Sequence, residues 1–160
     1  MNNKDVLLKE IDIIQSCISK VEQNSFIVKG WSISIVAVIL ALSPEDLNHR
    51  FLSVALAVVT LSFWFLDAFF LRVDRLYRWK YDWVINNRLL SMENAFDMNP
   101  YNPSMWRLAV GGRPRKKPWI VGVMFSPTLL VVYLPLLCLS AAAYYKIIKP
   151  VASTSFLCFL

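Results

Sequence analysis

Apolar residues recur at alternating spacings of four and three along residues 4–24, which predicts an amphipathic helix over residues 1–25 with one apolar stripe. The stripe spans only two to three heptads, so two alternatives remain open. It could pack against copies of itself as an oligomer seam, or against a later, cytoplasmic segment of the same chain. The stripe consists of Leu7, Ile11, Ile14, Ile18 and Val21, and the charged residues on the other faces are Lys4, Lys9, Glu10, Asp12, Lys20 and Glu22.

Two long apolar runs follow and predict a pair of membrane-spanning helices. The first, residues 26–43, holds one charge, Lys29, and has Trp31 where an interfacial aromatic residue is expected. No helix-breaking residue separates it from the amphipathic segment, so one continuous helix is expected. The second, residues 51–71, is about 21 residues long and is therefore able to cross a hydrocarbon core of roughly 30 Å. Turn residues and charges at 44–50 predict a short loop that makes the two spans an antiparallel hairpin.

Beyond the second span, the pattern predicts a helical extension to about Met92 and then an irregular connection rich in proline and glycine. A third apolar run covers residues 120–145 and contains Pro127 and Pro135. It is interpreted either as a tilted, kinked span or as a broken, re-entrant segment.

Composition agrees with this pattern, because 57% of the 160 residues are hydrophobic, more than the roughly 45–50% of a soluble domain. The expected fold class is an all-α integral membrane protein. An N-terminal amphipathic helix continues into a transmembrane hairpin, which is followed by a cytoplasmic helical extension and a third, proline-containing membrane segment. Residues 1–160 are expected to form a single membrane domain.

Charge predicts the orientation of these segments. Residues 72–118 hold ten lysines and arginines against four acids, whereas the 44–50 loop holds Arg50 against Glu45 and Asp46. By the positive-inside rule, the N-terminus and the basic 72–118 segment face the cytoplasm and the short loop faces the other side. Within this segment Arg113, Arg115, Lys116 and Lys117 form a basic cluster. The cluster is expected to hold anionic lipid headgroups rather than RNA or a protein partner.

Polar residues inside the predicted spans are the candidate functional residues. Asp67 lies within the second span, where an acidic side chain usually has a partner or a role. Lys29 is expected at a similar depth, so the two could form an interhelical ion pair; alternatively, the polar stripes could line a pore. The ion pair is the favoured interpretation. The candidate pore-lining or interhelical polar residues are Ser25, Lys29, Ser32, Thr60 and Asp67, and Ser53 and Asp74 continue the second stripe.

Enzymatic motifs do not occur in the sequence. No phosphate-binding loop, nucleophile elbow or zinc-binding helix motif is present, and the single histidine, His49, falls in the predicted outer loop without an arginine four to six residues before it. The three cysteines form no Cys-x-x-Cys pair. We therefore expect no catalytic residue, no metal site and no cofactor.

Two segments, NSFIVKGW at 24–31 and FWFLDAFFLRVDRLYRWKYDW at 63–83, resemble a family of small bacterial inner-membrane proteins, the RipA-type octameric proteins. By our interpretation this family includes the membrane pore accessory protein of type VI-B CRISPR systems. The likeness covers about the first 83 residues. Lys29, Trp31, Asp67 and Arg72 fall within the matching motifs, but the resemblance assigns them no catalytic role.

The resemblance implies a homo-oligomer, by analogy an octamer, in the bacterial inner membrane. The expected function is a non-enzymatic pore that permeabilises or depolarises that membrane in antiviral defence, functionally coupled to an RNA-guided ribonuclease and in contact with membrane lipids. Direct nucleic-acid binding is not expected. The alternative is a membrane scaffold or envelope protein without pore activity, which recruits a partner through the basic cytoplasmic segment.

Overall fold

A computed structural model describes residues 3–42, 49–105, 107 and 115–148, with side chains for 3–42, 50–105, 107 and 115–143. Within these ranges the chain is all-helical, with no strand. Helix α1 covers Asn3–Ala41, α2 covers His49–Asn87, α3 covers Ile120–Met124 and α4 covers Pro127–Ile148, and a 3₁₀ turn covers Pro103–Met105.

Helices α1 and α2 form a long antiparallel hairpin of 39 residues each. As predicted, the amphipathic segment and the first apolar run are one uninterrupted helix, since residues 3–41 contain no proline. Each helix is about 58 Å long at 1.5 Å per residue, roughly twice the thickness of a hydrocarbon core. Half of each helix is therefore long enough to cross a bilayer.

Two predicted boundaries were wrong. Helix α2 begins at His49, so His49 belongs to the helix and not to the loop; residues 43–48 lie outside the described residues. Helix α2 also ends at Asn87, five residues before the predicted end at Met92. It ends early because the Arg88 guanidinium donates hydrogen bonds to the backbone carbonyls of Ser91, Glu93 and Asn94, which requires the chain to turn back around that side chain.

The third apolar run is broken into two helices. After α3, the amide of Ser126 donates to Val123 O at 3.0 Å, and α4 then starts at Pro127. A proline suits the first turn of a helix because its missing N–H would have no intrahelical acceptor there. Pro135 lies inside α4.

The hairpin contains two separate hydrophobic cores. The apolar half of the hairpin is the part that contains the two apolar runs, residues 26–43 and 51–71, and the charged half is the remainder. In the apolar half, α2 packs against α1, α3 and α4 around Leu56, Trp64, Ala68 and Tyr133, all nearly or fully buried. In its charged half, Ile14, Val84 and Met105 form a second core, which partly buries Leu7, Ile11 and Ile18. This second core joins α1 to α2 and to the connection that follows α2.

Both long helices are apolar and long enough to cross a membrane, and most of their apolar surface lies on the outside. Only 17% of the apolar window in α1 and 28% of that in α2 is buried. A core helix of a soluble protein would be mostly buried, whereas Phe26, Leu42, Phe51 and Val131 are each more than two-thirds exposed. These surfaces indicate a membrane location.

Candidate functional site

Asp67 is the centre of a polar network inside the apolar half of the hairpin. Its carboxylate is fully buried, and Lys29 Nζ approaches it at 2.8 Å from Oδ2 and 3.0 Å from Oδ1. Ser25 donates a short hydrogen bond to Asp67 Oδ1, and Lys29 Nζ donates to Ser25 Oγ at 2.6 Å. The interhelical pair predicted from matched depth is confirmed, because antiparallel helices bring residues 29 and 67 to the same level.

The same carboxylate also anchors the third helical segment. Tyr133 of α4 donates its hydroxyl to Asp67 Oδ2 at 3.2 Å, and its ring stacks on Trp64 with a centroid distance of 6.0 Å. Trp64 in turn donates its indole N–H to Met124 O at 3.0 Å, at the end of α3. One buried acid therefore connects α1, α2 and α4, a satisfied arrangement that a low-dielectric interior requires.

The structure buries most of the predicted polar residues between the helices, whereas Ser25 and Lys29 are only partly buried. Ser32, Thr60 and Asp67 are fully buried, and Ser53 and Asp74 are nearly so. The seven-residue spacing of the second stripe had identified the buried face of α2 correctly. Within one protomer these residues are interhelical, and Ser25 and Lys29 also line the cavity that opens between α1 and α2.

The fully buried ion pair in the charged half was not predicted, because the sequence pattern placed Glu10 only on a face other than the apolar stripe. Glu10 and Arg88 are both fully buried, and Arg88 donates to both carboxylate oxygens, at 2.7 Å for Nη2 to Oε1. The Phe96 amide donates to Glu10 Oε1 at 3.0 Å, and the Trp83 ring lies against the guanidinium at 5.5 Å. The spacing of Val6, Glu10 and Ile14, four residues apart on one helix face, was the available signal.

Lys80 is a second buried cation near this pair. Its side chain is 1% exposed, and Nζ lies 3.4 Å from Asn99 O. Burial lowers the pKa of Lys80 from its usual 10.5, although the nearby carboxylates of Asp97 and Glu10 act in the opposite direction. In the loop that covers it, the Asn102 side-chain amide donates to Asp97 and lowers the pKa of that carboxyl.

The predicted basic cluster is partly used inside the molecule. Arg115 forms an ion pair with Asp82 at 3.2 Å and lies over the Trp79 ring, and Lys117 lies 4.8 Å from the centre of the Tyr101 ring. Lys116 is exposed, and Arg113 lies outside the described residues. Arg115 therefore helps to hold the connection against α2, and Lys117 contacts Tyr101 within the connection; the lipid-binding interpretation had not included either contact.

The apolar stripe of α1 packs within the chain. Ile14 is fully buried against Val84 and Met105, and Leu7, Ile11 and Ile18 lie at the edge of the same core, while Val21 borders a cleft between α1 and α2. These contacts favour the intramolecular alternative over the oligomer seam, because the stripe faces α2. Acidic substitutions at Ile14 and Ile18 would consequently destabilise the protomer itself.

Among the residues that the structure describes, no group of three or more histidine, cysteine or acidic side chains could hold a metal ion. Comparison of the chain with protein-family models, with curated proteins and with solved structures found no match in any of the three.

Proposed function

We propose that the chain is a non-enzymatic protein of the bacterial inner membrane that assembles as a homo-oligomer and permeabilises or depolarises that membrane. By the resemblance of its first 83 residues, the assembly is an octamer that serves as an accessory to a type VI-B CRISPR antiviral system. The observation that supports assembly is a stripe of small, exposed residues on the outer face of α1. This small-residue stripe consists of Gly30, Ser34, Ala37 and Ala41.

The stripe has the spacing and the surroundings of a contact between membrane helices. Its members recur at intervals of four, three and four residues, so they share one helix face. A Cβ added at Gly30 would meet nothing within 4 Å, so this face is open in the protomer. Small residues let two helix backbones approach closely in a bilayer, where association depends on packing and not on the hydrophobic effect.

The same face continues beyond the apolar half as a polar surface with Ser16, Ser19 and Gln23 exposed, and Asp12 and Lys20 border it. Because the Lys29 and Asp67 network is satisfied inside each protomer, a lumen in this proposal is bordered by outer surfaces of the protomers that the small-residue stripe does not occupy. Orientation follows the charge argument, with the N-terminus and residues 72–118 in the cytoplasm.

A scaffold that recruits a partner without a pore is the second candidate. It is favoured by the cytoplasmic half of the hairpin, where the buried Glu10 and Arg88 pair holds the 91–96 loop against both helices. A preorganised surface of this kind loses little conformational entropy when a partner binds.

A membrane-potential dye separates the two candidates. In cells with the complete defence system, triggering should depolarise the membrane when the chain is present, and purified protein in liposomes should release a small entrapped dye. Intact potential together with preserved protection would reject the pore and leave the scaffold. A monomeric mass by light scattering in mild detergent would reject both the oligomer and the pore.

A further inference from the structure

A cavity of about 320 Å³ opens between α1 and α2 where the apolar half of the hairpin meets the charged half. Phe26, Phe70 and Leu71 line it on the apolar side, and Glu22, Asp74 and Arg78 line it on the charged side. Its volume is at the lower end of the range for ligand pockets. Because the cavity lies at the boundary between the apolar and the charged half, it is at the level of the lipid headgroups if the two apolar runs cross the bilayer.

Asp74 is incompletely satisfied in this cavity. The residue is 7% exposed, and its Oδ2 accepts a hydrogen bond from Arg78 Nε at 2.8 Å. Its Oδ1 is buried and has no hydrogen-bond partner among the described residues. An unpaired buried carboxylate oxygen is costly, so this atom indicates a ligand that supplies a hydrogen-bond donor, most favourably a charged one.

The charges around the cavity are balanced. Two cations, Lys29 and Arg78, and two carboxylates, Glu22 and Asp74, line it. Lys29 retains 22% exposure beside its partner Asp67, and the half-exposed Arg78 pairs with both Glu22 and Asp74. A purely anionic ligand would meet the two carboxylates, and a purely cationic ligand would meet the two cations, whereas a zwitterion can satisfy both pairs.

We propose that this cavity binds the headgroup of a phospholipid with a primary ammonium group, of the phosphatidylethanolamine class. The ammonium group donates to Asp74 Oδ1 and faces Glu22, and the phosphate lies between Lys29 and Arg78. The acyl chains follow the exposed apolar surface that starts at Phe26 and Phe70. The proposal does not depend on pore activity, because it concerns the protomer.

Native mass spectrometry of the full-length protein in mild detergent tests the proposal. The protein is titrated separately with phosphatidylethanolamine, with phosphatidylcholine, which has no N–H donor, and with phosphatidylglycerol, which has no amine. Phosphatidylethanolamine should bind roughly tenfold more tightly per chain than either of the others, the change expected for one charge-assisted hydrogen bond. Equal binding of the three lipids, or a preference for phosphatidylglycerol, would overturn the assignment.

Two variants identify the cavity as the site. Asp74→Asn should abolish the preference for phosphatidylethanolamine, whereas Asp82→Asn, the same change on the same helix outside this cavity, should keep it. Val21→Trp, which fills the cavity and leaves Asp74 in place, should also abolish it. Retention of the preference in both Asp74→Asn and Val21→Trp would place the lipid elsewhere and refute the proposal.

A soluble headgroup distinguishes a membrane lipid from a free phosphate ester. Glycerophosphoethanolamine lacks acyl chains, so at the same concentration it should displace little of the bound lipid. Full displacement would assign the cavity to a soluble ligand and would overturn the lipid assignment. The lipid preference and the dye release of the proposed pore are separate measurements, and loss of one leaves the other testable.

Discussion

Glu10 and Arg88 lie 78 residues apart in the sequence and form an ion pair in which neither side chain is exposed. Arg88 also donates to three backbone carbonyls of the 91–94 loop, so one guanidinium holds the start of α1, the end of α2 and the loop together. The ion pair between Arg88 and Glu10 is bidentate, which is the most favourable arrangement of a rigid guanidinium with a carboxylate.

Replacing Glu10 should be far more damaging than replacing Glu22, although each of the two carboxylates pairs with an arginine. Glu10→Gln leaves the Arg88 charge buried without a counter-ion, for which a loss of about 3–5 kcal/mol is expected. Glu22→Gln removes a half-exposed pair and should cost about 0–1 kcal/mol. Denaturant unfolding in mild detergent measures both, and protease cleavage after Arg88 should rise only in Glu10→Gln. Similar losses in the two variants would contradict the burial argument.

The Lys29 and Asp67 pair should behave as a coupled unit. Asp67→Ala and Lys29→Ala should each lower stability or assembly, because each leaves a charge in a low-dielectric site, and a loss of about 3–5 kcal/mol is expected for Asp67→Ala. The exchange of the two charges, Lys29→Asp with Asp67→Lys, should recover part of the loss, and a double-mutant cycle measures the coupling. Purely additive damage would deny the coupling. Normal assembly of both single variants with altered ion leakage would instead place the residues in a lumen.

Buried Lys80 should make stability rise with pH in the alkaline range. Its pKa is lowered in the folded chain, whereas the unfolded chain holds the proton up to about 10.5, so between these values the unfolded state binds more protons. The free energy of unfolding should therefore increase as pH rises through that window. Lys80→Met should remove this slope, and Lys20→Met, at an exposed position of α1, serves as the control. An unchanged slope in Lys80→Met would show that other groups cause it.

Gly30→Leu should impair assembly without unfolding the protomer. An added side chain at Gly30 meets open space in the chain, but it would keep a second helix from approaching the small-residue stripe. Gly122→Leu is the matched control, because Gly122 is equally open and lies on α3, away from that stripe. Light scattering should give a smaller mass for Gly30→Leu alone. If both variants keep the wild-type mass, copies do not meet along this face.

The predicted orientation can be tested by cysteine labelling in a background without Cys17, Cys138 and Cys158. A membrane-impermeant reagent should label a cysteine at position 48 from outside, and one at position 112 only after permeabilisation. This outcome follows from the excess of lysine and arginine in residues 72–118. The reverse labelling pattern would refute the charge argument.

Much of the architecture was predictable because it depends on local patterns. The length of the apolar runs and the absence of proline between residues 3 and 41 were sufficient for two long helices, and prolines marked the broken third segment. The pairing of Lys29 with Asp67 was also accessible, because a short hairpin connection fixes which residues share a depth. Spacing of seven residues then placed Thr60 and Asp67 on one buried face.

The sequence by itself therefore determined the helices, their apolar halves and the level at which charged residues face each other. Only the tertiary structure decided which partner each face meets. It placed the α1 stripe against Val84 and Met105 of the same chain, and it buried Glu10 with Arg88 beneath a loop whose path no periodicity describes. The physical reason is that periodicity is a property of one helix, whereas a buried charge is stable only where distant groups, here Arg88 and the Phe96 amide, meet it in three dimensions.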